Sequence, residues 1–87
     1  MAFLKDSDAV KDYAIDWSPW LAGDTITTST WIVPTGITKN SDTHTTTGTT
    51  IWLSSGTDGT DYNLVNRVVT AGGRTEDRTI TILVRQQ

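Results

Sequence analysis

With 87 residues and no cysteine, the chain has room for one domain and a limited core, and a disulfide staple or thiolate zinc site is excluded. Its formal net charge of -3 and sequence pI near 4.7 argue against nucleic-acid binding, which calls for a basic stripe along the phosphate backbone. Four tryptophans are many for this length, so some belong to the core and one or two are candidate interface anchors.

Residues 1–12 are polar and acidic apart from Phe3 and Leu4, and are expected to form an N-terminal arm or an edge segment ahead of a domain spanning residues 13–87. They lack the basic start and apolar run of a signal peptide, and no later run has the length of a membrane span, so no membrane partner is expected. Phe3 and Leu4 are candidate partner-binding residues, because apolar side chains in a free tail gain most by docking on a neighbouring subunit.

Tyr13-Ala14-Ile15-Asp16-Trp17 alternates and predicts a first strand, broken by Ser18-Pro19 because proline cannot donate to a ladder. Trp20 follows in the connection before the Ala22-Gly23-Asp24 turn. It either caps one end of the core, the favoured role, or faces a partner, which makes it the third candidate partner-binding residue. Residues 25–33 are rich in Thr and Ile and predict a second strand. The apolar parity changes between Ile26 and Trp31, which predicts a bulge near Thr28-Ser29, and Trp31 is the candidate central tryptophan. Residues 37–47 read as a polar edge strand or a loop, and Thr49-Thr50-Ile51-Trp52-Leu53-Ser54 as a strand with Trp52 on the face opposite Ile51 and Leu53.

The clearest element is last. Residues 61–70 and 75–84 are β-rich runs joined through Gly72-Gly73, a hairpin signal because glycine takes positive φ cheaply. Gly59-Thr60-Asp61-Tyr62-Asn63-Leu64 fits a tyrosine corner, in which the Tyr62 hydroxyl bonds back to the preceding loop. Tyr62, Leu64, Asn66 and Val68 then point inward to meet Ile80, Ile82 and Val84, and a buried Asn66 must find partners. Val65 and Val69, on the other parity, require a second buried face or an interface. Glu76 and Asp77 sit beside Arg74 and Arg78, which reads as a salt-laced hairpin. No helix is convincing, and strands at roughly ten-residue spacing predict an all-β, immunoglobulin-like β-sandwich ending in a β-hairpin.

No catalytic constellation and no cofactor or metal site is assigned. His44 is the only histidine and lies in a Thr-rich polar segment, where a solvated imidazole is expected. Asp58-Gly59-Thr60-Asp61 faintly resembles a calcium loop but lacks its alternating carboxylates, so turn residues are expected. Asp16 and Asp24 show no sign of converging as a glycosidase pair. Gly72-Gly73 leads into a strand rather than a helix, so it is no phosphate loop.

Ala14-Ile15-Asp16-Trp17-Ser18, Leu21-Ala22-Gly23-Asp24-Thr25-Ile26 and Ser29-Thr30-Trp31-Ile32-Val33-Pro34 resemble segments of a family of small phage proteins, the fibre-tail adaptor proteins of tailed bacteriophages. So do Ile51-Trp52-Leu53-Ser54, Gly56-Thr57, Gly59-Thr60-Asp61-Tyr62 and Asn66-Arg67-Val68-Val69-Thr70-Ala71-Gly72-Gly73-Arg74-Thr75. The resemblance covers nearly the whole chain after about Lys5, through structural rather than catalytic motifs. It implies a non-enzymatic virion protein, assembled in the bacterial host cytoplasm and present in several copies, that joins a tail fibre or spike to the tail. The partners implied are other phage tail or fibre proteins. Two alternatives stand beside it: a capsid decoration or head protein on the same fold, and a carbohydrate-binding module using Trp20 and Trp52.

Overall fold

A computed structural model describes residues 2–86. The chain forms β1 (Ala2–Lys5), β2 (Lys11–Asp16), α1 (Ser18–Leu21), β3 (Ile26–Ile32), β4 (Ile37–His44), β5 (Gly48–Ser55), β6 (Asp61–Thr70) and β7 (Thr75–Val84). Two sheets pack as a sandwich, one with four strands in the order β1-β7-β6-β3 and one with three in the order β2-β5-β4. All neighbours are antiparallel except β1, which lies parallel to β7.

Period-two alternation explains the layers. Tyr13 and Ile15 of β2, Ile51 and Leu53 of β5, Leu64 and Val68 of β6, and Ile80, Ile82 and Val84 of β7 are all buried between the sheets. Each such aliphatic side chain contributes about 1.5–3 kcal/mol by leaving water. The C-terminal hairpin forms in the expected register, with Leu64 opposite Ile80 and Tyr62 opposite Ile82. The tyrosine corner is present: the Thr57 N–H donates to the Tyr62 hydroxyl at 3.0 Å. Gly36 lies against that ring at φ 105°, where an added Cβ would meet the Tyr62 hydroxyl at 3.1 Å.

Several details differ from the sequence reading. A one-turn helix, α1, follows β2; Pro19 sits in its first turn, where a missing N–H breaks no bond. The bulge falls between Ile26 and Thr28, because Thr27 leaves the ladder and donates its hydroxyl to the Val69 carbonyl at 3.0 Å. Trp31 belongs to the core at 6% exposure, but Trp17 is the fully enclosed tryptophan. Its indole N–H donates to Asn66 Oδ1 at 3.0 Å, and the Thr49 hydroxyl donates to the same oxygen at 2.7 Å. Asn66 in turn donates to the Ser29 hydroxyl at 3.0 Å and the Thr30 carbonyl at 3.1 Å. The buried amide is thus saturated and ties β3, β5, β6 and the end of β2 together.

At the N-terminus, Ala2–Lys5 takes the edge-segment form, pairing with residues 81–84 of β7. This places the far end of β7 inside the sheet rather than at its edge. Lys5 is almost wholly buried, and its ammonium donates to the Asp6 carbonyl at 2.9 Å and, across the sandwich, to the Ser55 carbonyl at 2.6 Å. Burial pushes its pKa below the usual lysine value, against the opposing pull of Asp6 and Asp8.

Candidate docking surfaces

The three candidate contact residues do not converge. Phe3 is half-buried with its ring centroid 5.3 Å from that of Tyr13, while Leu4, 55% exposed, points outward from β1 beside Leu83. Trp20 lies near the other end of the sandwich: Thr75, where β7 begins, is seven residues or about 23 Å along the strand from Ile82, the partner of Phe3. There Trp20 packs edge-on against Trp17 at 5.4 Å and carries the Arg74 guanidinium 4.3 Å above its ring.

Arg74 is held from three sides. Its Nε donates to Asp24 at 3.2 Å, Nη2 to the Leu21 carbonyl at 2.7 Å and Nη1 to the Trp20 carbonyl at 3.4 Å. Asp24 also accepts the N–H groups of Thr25 and Gly72. The Thr70 hydroxyl first, then these amides and Arg74, hold its carboxyl down at a pKa of about 2. Arg78 lies 4.2 Å from the Trp17 ring centroid. The hairpin is salt-laced through Asp77, which pairs across the strands with Arg67 at 2.8 Å, while Arg74 and Arg78 turn to the two tryptophans.

Few groups offer reactive chemistry. His44 is exposed at the end of β4, beside a shallow depression of about 200 Å³ that it lines with Asp16 and Thr50. Asp58 accepts the Gln86 N–H at 2.7 Å, and Asp61 pairs with Arg85 at 3.0 Å, so the calcium-like segment secures the C-terminus. Among the described residues no three of His, Asp and Glu come together to hold a metal ion, and no helix is long and apolar enough to cross a membrane. Trp20 and Trp52 make no common aromatic strip, because Trp20 is covered by Arg74 and Trp52 stands on the outer face of β5.

Sheet edges are poor landing sites. β4, the free edge of the smaller sheet, is interrupted by a bulge between Lys39 and Ser41. It also carries the Lys39–Asp42 ion pair at 3.1 Å, and bulges and charges of this kind deter strand addition. β1 has only four residues, β2 carries Lys11, Asp12 and Asp16, and β3 is bulged.

The outer faces are different. On the larger sheet, Val65 lies opposite Ile32 and Leu4 opposite Leu83, with Val69 further along; threonines fill most of the remainder, and Arg67 is already paired. Ile32 is 48% exposed, so the second apolar parity of β6 contributes to an open face rather than a buried one. On the smaller sheet the outer face carries Asp12, Ala14 and Asp16 from β2 and Thr50, Trp52 and Ser54 from β5, with Trp52 exposed at its centre.

The sequence matches the family described as podophage GP4 fiber-tail adaptor protein gp77 over residues 5–83. The chain belongs to that family. It is a structural adaptor of the phage tail, and the family's role implies binding to fibre and tail proteins and a place in the virion tail. No curated protein matches it. The matched span runs from Lys5, the lysine that ties β1 to β5, to Leu83, so it takes in every strand of the adaptor at least in part. Sequence reasoning missed the burial of Lys5 and the placement of Asp12 opposite Trp52. The burial of Lys5 depends on a carbonyl 50 residues away, and the pairing of Asp12 with Trp52 depends on a strand register that no local pattern encodes.

Proposed function

We propose that this adaptor joins fibre to tail by holding one protein on each sheet's outer face, with the packed core as a rigid spacer between them. The observation that carries this reading is the chemical difference between the faces. One is apolar and threonine-rich with its charges internally paired; the other is acidic around an exposed tryptophan. Guarded edges support faces over strand addition as the means of docking. Leu4 lies on the apolar face and is the member of the candidate trio best placed to touch a partner, whereas Phe3 and Trp20 are engaged internally.

The sandwich is read as immunoglobulin-like. Its order, β1-β7-β6-β3 against β2-β5-β4 with a tyrosine corner on β6, supports that assignment, the first strand lying beside the last. The adaptor acts by binding rather than by chemistry, in several copies around the tail, and is assembled in the bacterial cytoplasm.

Affinity capture of the tagged chain from a lysate of phage-infected host tests the reading. Tail and fibre proteins are expected to co-purify. Recovery of major capsid protein alone would overturn it in favour of a head decoration.

A further inference from the structure

The geometry points to the outer face of the β2-β5-β4 sheet as a docking surface for an arginine-bearing segment of a partner protein, with Trp52 and Asp12 as its centre. This rests on the adaptor reading for the partner's place in the virion, but the chemistry stands on the face itself.

Trp52 is 41% exposed on the middle strand of the sheet. Its cross-strand neighbours are Asp12 on β2 and Ser41 on β4, and directly opposed residues have Cβ atoms about 5 Å apart. Ala14, Thr50 and Ser54 are also small, so nothing bulky shields the indole. Among the described residues the Asp12 carboxylate has no ion pair and no side-chain hydrogen bond. The nearest cations in the sheet are engaged on the other parity: Lys39 with Asp42 at 3.1 Å, and Lys11 5.8 Å from the Tyr13 ring centroid. Of the two carboxylates on this face, Asp16 is engaged by the Ser18 hydroxyl and amide and lies near Arg78, so Asp12, beside Trp52, is the open one, and no Lys or Arg of the three strands shares its parity.

The same molecule shows what this combination binds. Trp20 and Asp24 together hold Arg74, the ring under the guanidinium at 4.3 Å and the carboxylate on Nε at 3.2 Å. Trp17 carries Arg78 at 4.2 Å. Trp52 beside Asp12 offers an indole and a carboxylate turned outward, where the complementary charge comes from another protein. Guanidinium suits the pair better than ammonium, since it stacks flat on indole while its N–H fork meets a carboxylate. A second copy of the chain is disfavoured as occupant, because each copy carries net charge -3.

The test is titration of the intact chain with an arginine–glycine repeat peptide, followed through the indole N–H signals of its four tryptophans, with a lysine–glycine peptide for comparison. The Trp52 signal should move, the arginine peptide should bind more tightly than the lysine one, and raised salt should weaken both. Trp52→Ala and Asp12→Asn should each weaken arginine-peptide binding about tenfold. Asp12→Asn should melt with the parent, because that side chain faces solvent, while Trp52→Ala should stay folded with a midpoint a few degrees lower, because more than half of the indole is covered. Equal binding by these variants, or signal changes confined to Trp17, Trp20 and Trp31, would overturn the inference. Virion incorporation separates it from the adaptor reading. If Trp52→Ala chains enter tails at the parental level, the docking inference falls and the adaptor reading stands. If parental chains are absent from tails while the peptide still binds at Trp52, the adaptor reading falls and the face's chemistry stands.

Discussion

Single residues divide into those that hold the core by hydrogen bonds and those that hold its rim by charge. Trp17 and Trp31 are both buried, yet only Trp17 donates its indole N–H to protein; the Trp31 Nε1 has no such partner. Removing Trp17 also leaves part of the Asn66–Thr49 network unpaired. Trp17→Phe should therefore cost about 1–3 kcal/mol more than Trp31→Phe, as chemical denaturation of the two variants would measure. Asp24 makes the complementary case at the rim. Its pKa is about 2 in the folded chain against an ordinary 3.8, so its contribution is present above the unfolded value and lost as pH falls through 3.8 toward 2. Asp24→Asn should be less stable than the parent at neutral pH, and the gap should close over that acid window; a gap constant down to pH of about 2 would exclude the linkage. Asn66 was legible at this scale, since it shares a parity with Leu64 and Val68. Lys5 was not, because a lysine near a terminus reads as solvated until a distant carbonyl is placed beside it.

At the scale of elements, legibility followed the length of the alternating pattern. β6 and β7 each have ten residues, and their inward side chains could be named from spacing alone. β1 has four residues and pairs in parallel with a strand almost 80 residues later, so nothing local announces it. The structure gives it three anchors besides its ladder: Lys5 on the Ser55 carbonyl, the Tyr13 hydroxyl donating to the Leu4 carbonyl at 3.1 Å, and Phe3 on the Tyr13 ring. Deleting residues 1–8 should accordingly destabilise the domain by about 3 kcal/mol, a large share of what a domain this small possesses. A thermal melt unchanged by the deletion would mean that β1 contributes contacts for a partner and nothing to the fold. The bulge in β3 was readable as a break in parity, although its position was not, because Thr27 rather than Thr28 or Ser29 finds a carbonyl to bond.

For the whole molecule, the arrangement separates two faces with a core that links the sheets through both apolar packing and the Asn66 network. The β-rich sandwich and the apolar second parity of β6 were visible in the sequence. The acidic face was not, since it exists only once β2 and β5 are paired in their actual register. The direct test is to place a photo-crosslinking amino acid at Ala14, on the acidic face, and separately at Thr79, on the apolar face, and to illuminate assembled virions. Both positions are exposed and lie outside the proposed contact pair. The account predicts two different products, one to a tail protein and one to a fibre protein. Crosslinks from both positions to the same protein, or to capsid protein only, would contradict it.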